Sequence, residues 1–342
     1  MTNSGRGSKN RKYQAIRRRY QEKRHSRKWK TRKANKKEAQ KQIDASILKY
    51  KASPYVEHIA PTNFSFTKNT EEVLKYFNKT QKTFHSGKNV TFNLSEVETM
   101  TSDTIALLIA SIKSVKFAKR GNSRGNQPQK PELQKMFSES GFYDQVTQSG
   151  FPSLKSGNLL HREVHKRVEP NIAKEACKIG LRHVYGQAKP FHPLYEILIE
   201  CMSNTHNHAT LYEQGECKWW LYVCKHPNEN KVSYTFVDLG IGIFKSAHMT
   251  GMIKKFLKGT AAIPHVDLVD DLLAGNIQSR IEKDRGIRGK GIPQIAEHAS
   301  LPCFSEFYII TNDVKIDLKE NKKVQLPSNY SGTLLHWSLT TT

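Results

Sequence analysis

A carboxylate and an amide, Glu200 and Asn204, lie four residues apart in a segment with helical periodicity. Apolar residues at positions i, i+3, i+4, i+7 and i+8 predict one buried helix face: Leu194, Ile197, Leu198, Cys201 and Met202. Glu200 and Asn204 then share a second stripe of the same helix. An asparagine oxygen can ligate Mg²⁺ and a carboxylate can orient or activate water, so the pair suits metal-phosphate chemistry. The alternative interpretation of this spacing is a solvated polar face.

A second segment combines a carboxylate with closely spaced glycines. Residues 231–237 alternate like a strand and lead into Asp238-Leu-Gly240-Ile-Gly242-Ile243. The glycines permit a tight turn and a close approach of the backbone to a ligand. A lone aspartate at a strand end can accept a hydrogen bond from an exocyclic amine, although this turn by itself is an ordinary one.

A third segment, Gly289-Lys290-Gly291, precedes a helix with Pro293 just inside its start. A glycine-rich loop before a helix leaves backbone N–H groups free for phosphate oxygens. Gly291 rather than Ser or Thr follows Lys290, so this is not a Walker A loop, and no βαβ order makes it a Rossmann fingerprint. A last strand begins with Ser331-Gly332-Thr333.

Taken in order, these four segments resemble the GHKL ATPase superfamily, which includes gyrase, heat-shock chaperones, histidine kinases and MutL. The resemblance spans about residues 171–339 and implies a two-layer α/β sandwich of the Bergerat type, with a mixed sheet covered by helices on one face. It implies that ATP and Mg²⁺ are cofactors and that residues 244–288 form a lid. The implied roles are a general base at Glu200, a Mg²⁺ ligand at Asn204, the adenine-binding carboxylate at Asp238, a first glycine motif at Gly240, Gly242 and Ile243, phosphate contacts at Gly289, Lys290 and Gly291, and support of Asp238 by Thr333.

Residues 54–155 predict a smaller α/β domain before the ATP-binding domain of residues 156–342. Residues 89–94 alternate like a strand, a helix is predicted over 104–115, residues 119–131 read as a loop, and a further helix begins at Pro131. This order resembles the STAS domain of anti-sigma-factor antagonists, which implies a regulatory protein partner. The position of its phosphorylated serine matches Ser102 or Thr101, although these two residues also suit a simple helix cap.

The N-terminal arm, residues 1–53, carries most of the positive charge of the chain. The net charge is +24, and residues 1–41 hold 17 Lys and Arg against 2 Asp and Glu. Such a segment is predicted to be disordered, or helical once bound to phosphates. We expect residues 1–50 to contact nucleic acid or a ribonucleoprotein, with a membrane surface or a solubilising tail as alternatives. The predicted contacts are Arg17, Arg18, Arg19, Lys23, Arg24, Arg27 and Lys28.

Three functions remain open at this level. The first is an ATP-hydrolysing regulatory switch, the second a serine/threonine kinase of the anti-sigma-factor type acting on a STAS domain, and the third a nucleic-acid-binding scaffold that uses ATP structurally. The sequence allows a homodimer. Five scattered cysteines, no apolar leader and no run of 18 apolar residues predict a cytoplasmic chain with no membrane span.

Overall fold

The computed structural model describes residues 54–114, 122–145, 158–163, 168–208, 218–249, 263–279 and 291–341. Tyr55–Thr342 forms one compact unit. The basic arm lies outside the described residues, as does the predicted domain boundary at residue 155.

The first part of this unit alternates strands and helices around a small parallel sheet. Strands β1, β3 and β5 lie in the order β1-β3-β5 with both pairs parallel, and β2 pairs in parallel with β4. The elements are β1 (Tyr55–Ile59), β2 (Asn63–Phe64), α1 (Thr70–His85), β3 (Asn89–Asn93), β4 (Thr99–Met100), α2 (Ser102–Lys113), β5 (Ser123–Gly125), α3 (Pro131–Glu139) and α4 (Phe142–Gln145).

The predicted strand at 89–94 and the helix beginning at Pro131 are confirmed by β3 and α3. The helix predicted over 104–115 is also present, but it begins two residues earlier, at Ser102. The loop predicted over 119–131 is wrong in one place, because Ser123–Gly125 pairs with β3 as strand β5. The three residues of β5 are all exposed and show no alternation of apolar and polar side chains. They form a strand only because they pair with the buried strand β3.

The second part is built on a five-stranded sheet in the order β11-β12-β8-β7-β6. Its elements are β6 (Leu159–Glu163), α5 (Pro170–Tyr185), α6 (His192–His208), β7 (Trp219–His226), β8 (Lys231–Asp238), α7 (Ile243–Ser246), β9 (Ala247–Met249), the 3-10 helix His265–Leu268, α8 (Val269–Leu273), β10 (Ile277–Ser279), α9 (Gly291–Ala299), β11 (Phe304–Asp317) and β12 (Lys322–Thr340). The chain is therefore a mixed α/β protein, as predicted. The expected mixed sheet is wrong, since all described neighbours in this sheet are antiparallel.

Helices pack against both faces of the antiparallel sheet, rather than the single face that was expected. One face carries the stacked rings of Tyr234, Trp337 and Phe307, with centroid separations of 5.3 and 5.4 Å, and shares a core with α5, α6 and α9. The other face presents Trp220 and Tyr222 to a core that includes α2. The two predicted domains therefore share a core, and the sheet is the middle layer of three.

Within the described part of the chain, no helix is long and apolar enough to cross a membrane. Cys177, Cys201, Cys224 and Cys303 are buried and unbridged. Burial raises the pKa of the Cys177 thiol to about 12, so this cysteine is a protonated core side chain at neutral pH.

Candidate functional site

Helix α6 positions the first group of candidate residues. Its predicted apolar face is confirmed, because Leu194, Ile197, Leu198, Cys201 and Met202 are at most 2 % exposed. This packing fixes the rotation of the helix and leaves Glu200 and Asn204 half-buried on the adjacent stripe.

The start of α9 lies directly against these two side chains. A Cβ atom added at Gly291 would lie 2.6 Å from Glu200 Oε2 and 3.2 Å from both Asn204 Oδ1 and Asn204 Nδ2. Only a residue without a side chain leaves the carboxylate and the amide where they are. The glycine at this position thus brings a helix start next to a carboxylate and an amide that are about ninety residues away in sequence.

Burial raises the pKa of Glu200, and the negative charge of Glu196, one helical turn earlier, raises it further. Glu196 is itself held by α9, since its Oε2 lies 2.6 Å from His298 Nε2 and accepts a hydrogen bond of 3.0 Å from Gln294 Nε2. A carboxylate with a raised pKa is a better proton acceptor at neutral pH than an exposed one.

Asp238 ends β8 as a buried carboxylate, 7 % exposed. Burial raises its pKa to about 6, although hydrogen bonds from Gly240 and Thr333 oppose the shift. The Gly240 amide donates to Asp238 Oδ1 over 2.8 Å, and Thr333 is its direct partner in the sheet register. Gly332, with φ of 135°, is required beside it, because a Cβ there would lie 2.1 Å from the Asp238 carbonyl oxygen.

Two residues that sequence reasoning missed hold the glycine loop after Asp238. Thr311 Oγ1 accepts a hydrogen bond from the Ile243 amide over 2.9 Å, and Asn312 Oδ1 accepts one from the Phe244 amide over 3.1 Å. Both residues are fully buried in β11. A buried Thr-Asn pair within an apolar strand is an available signal in the sequence, but its partners are almost seventy residues away.

The Glu200 and Asp238 carboxylates both raise the pKa of the buried Cys201 thiol. After burial itself, the charges of Glu200 and Asp238 are the largest influences that raise the pKa of Cys201. The structure therefore brings Glu200, Asn204 and Gly291 together, and Asp238, Gly240, Gly242, Ile243 and Thr333 together, with Cys201 within electrostatic reach of both groups. Gly289, Lys290 and the predicted nucleic-acid contacts of the arm lie outside the described residues.

Ser102 lies apart from these groups, in a closed turn at the start of α2. It is 4 % exposed, and the neighbouring Asp103 is fully buried. Asp103 accepts hydrogen bonds from the backbone amides of Thr67 (2.6 Å) and Thr104 (2.8 Å) and from the Thr101 hydroxyl, whose Oγ1 also lies 2.7 Å from Ser65 Oγ. A kinase would reach the Ser102 hydroxyl only after this turn opened.

The described residues contain no group of three or more His, Cys, Asp or Glu side chains that could hold a metal ion. No protein-family model and no curated protein matches this chain.

Proposed function

We propose that this protein binds ATP together with Mg²⁺ and hydrolyses it slowly as a regulatory switch of the GHKL type. The observation that carries the proposal is the closeness of Gly291 to both Glu200 and Asn204, which leaves no room for a Cβ atom beside Glu200. It supports the proposal because a phosphate-binding helix start, a Mg²⁺ ligand and a water-activating carboxylate need to be neighbours in such a site.

The residues fit the groups assigned to them. Asp238 is a buried carboxylate at a strand end, suited to accept a hydrogen bond from the exocyclic amine of adenine. The glycine loop at 240–242 allows its backbone to approach the nucleotide. Asn204 offers one oxygen to Mg²⁺, an ion that usually takes few protein ligands and completes its shell with phosphates and water. The nine-residue helix α9 begins at Gly291, beside Glu200 and Asn204, so its first N–H groups would be available to the phosphates.

Glu200 is the residue that would take a proton from the attacking water. Its half-buried position and raised pKa suit a general base near neutral pH. Mg²⁺, when bound, would neutralise charge on the phosphates. The GHKL-type α/β sandwich of this proposal comprises the large sheet and the helices α5, α6 and α9 on one of its faces. The STAS-like region on the other face is the proposed regulatory surface, because α2 packs on the sheet that carries Asp238.

The test is release of labelled phosphate from γ-labelled Mg-ATP by the wild-type chain and by Glu200→Ala. The control is Glu297→Ala, which removes an exposed carboxylate from α9. We expect Glu200→Ala to reduce phosphate release by about 100-fold or more while the control keeps the wild-type rate. Equal rates in wild type and Glu200→Ala would remove the general-base assignment.

The same experiment separates the alternatives. Stable label on Ser102 would favour a serine/threonine kinase of the anti-sigma-factor type, and ATP binding without phosphate release would favour a scaffold. The buried Ser102 hydroxyl favours the hydrolase. We further propose that residues 1–50 tether the switch to nucleic acid or a ribonucleoprotein, since a net charge of +15 over residues 1–41 attracts phosphate backbones strongly.

A further inference from the structure

Asn312 has a backbone conformation that is unusual within a strand. Its φ is 51°, in the left-handed region, and its side chain is fully buried at an irregularity in the pairing of β11 with β12. The other described non-glycine residue with a positive φ is Asn321, at 50°, which lies exposed in the turn between the two strands. A turn accommodates Asn321, whereas Asn312 adopts the same conformation inside a buried strand, at the irregularity between β11 and β12.

The side-chain amide of Asn312 spans the glycine loop. Its Nδ2 donates to the Ile241 carbonyl over 2.9 Å, and its Oδ1 accepts from the Phe244 amide over 3.1 Å. Gly242 lies between these residues, and a Cβ there would lie 2.5 Å from both Nδ2 and Oδ1 of Asn312. The amide therefore replaces, across the loop, the backbone pairing that a strand would have supplied.

Thr311, which precedes Asn312, links the glycine loop to the backbone beside Asp238. Thr311 Oγ1 accepts from the Ile243 amide and donates to the Gly332 carbonyl over 3.0 Å. Gly332 precedes Thr333, the register partner of Asp238. Two consecutive residues of β11 thus contact both the glycine loop and the backbone beside the buried carboxylate.

We propose that Asn312 is a positioning residue of the nucleotide site, holding the backbone of the glycine loop in the shape that approaches the nucleotide. This inference rests on the proposed ATP-binding function. Asn312 contacts neither Glu200 nor Asn204 among its described hydrogen bonds, so it acts on binding rather than on the chemical step.

Two variants separate its contacts. Asn312→Gly keeps the left-handed backbone without strain and removes both hydrogen bonds. Asn312→Asp keeps the acceptor for Phe244 but sets an oxygen against the Ile241 carbonyl. Asn321→Gly and Asn321→Asp are the matched controls, with the same residue type and backbone conformation at a distant, exposed turn.

The readouts are amide hydrogen exchange of the nucleotide-free chain and the kinetics of ATP hydrolysis. We expect Asn312→Gly to accelerate exchange at Phe244 by about tenfold or more, with the exchange elsewhere unchanged. We expect both Asn312 variants to raise KM for ATP by about tenfold with kcat nearly unchanged, and both Asn321 variants to match wild type.

A folded Asn312→Gly chain with wild-type exchange at Phe244, or Asn312 variants with wild-type KM, would overturn the proposal. A parallel fall of kcat and thermal stability with no change in KM would also overturn it, because that pattern belongs to general destabilisation. If the wild-type chain itself binds no ATP, the proposed function fails and this proposal fails with it. If wild type binds ATP and the Asn312 variants bind it equally well, only the positioning role is lost.

Discussion

The substitution Gly291→Ala would press a methyl group against the Glu200 carboxylate. The Cβ would be 2.6 Å from Glu200 Oε2, while ordinary van der Waals contact begins at 3.4 Å, so the carboxylate would have to move by 0.8 Å. The Asn204 amide, at 3.2 Å, would have to move by 0.2 Å to reach the same separation. Because Glu200 Oε2 ends a flexible side chain, it can retreat without moving the helix.

A displacement of this size matters far more for catalysis than for folding. Misplacing a catalytic group by about 1 Å can cost on the order of 100-fold in rate, whereas alanine in a helix is at least as favourable as glycine. We therefore expect Gly291→Ala to lower kcat for ATP hydrolysis by about 100-fold. Its melting temperature should stay at or slightly above that of wild type, as measured by calorimetry.

Gly186→Ala provides the opposite control. Gly186 has φ of 72° and nothing within 4 Å of an added Cβ, so alanine there costs backbone strain of about 1 kcal/mol without a clash. This variant should lose stability and keep its rate of hydrolysis. If Gly291→Ala hydrolysed ATP at the wild-type rate, the proposed closeness of Gly291 and a catalytic Glu200 would be refuted.

The remaining predictions concern charge. Because burial raises the pKa of Asp238 to about 6, its ionised form destabilises the fold at higher pH. At pH 8, Asp238→Asn should therefore unfold at a higher temperature, with a gain of up to about 3 kcal/mol in the free energy of unfolding. This gain should vanish as the pH falls below about 4. The pKa of Glu306 lies well below its usual range, since the contact with His336, the hydrogen bond from Ser338 and the charge of Lys231 outweigh the effect of burial. Glu306 therefore stabilises the fold above its unfolded pKa, and that stability is lost as the pH falls. Circular dichroism from about pH 5 to pH 2 should show a shallower acid unfolding for Glu306→Gln, and an equally steep transition would contradict this assignment. Deleting residues 1–53 should abolish the salt-dependent part of DNA or RNA binding, and an unchanged salt dependence would exclude the arm as the binding segment.

The spacing of apolar residues was sufficient to predict the helices and strands that bury a single face. The apolar positions of α6 predicted which side of that helix packs inward, and therefore where Glu200 points. The Pro131 helix start and the alternation of β3 were equally local signals. Each of these predictions depends on a spacing within one segment, which the folded chain preserves.

The features that were missed or wrong depend on pairing between distant segments. Nothing near Ser123 indicates a strand, because β5 exists only through its pairing with β3. The all-antiparallel order of the large sheet, and the packing of α2 on its second face, are likewise set by tertiary contacts. The hydrogen bonds of Asn312 to the glycine loop were missed for the same reason, since its partners lie 71 and 68 residues away in the sequence.

Calorimetric titration of the wild-type chain and of Asp238→Asn with Mg-ATP tests most directly whether Asp238 and the glycine loop recognise ATP. We expect one ATP bound per wild-type chain, and a loss of at least about 100-fold in affinity in a variant that remains folded, because a carboxylate that accepts a base amine is replaced by an amide in a buried site. Absence of ATP binding to the wild-type chain, or equal affinity in the two proteins, would contradict this expectation.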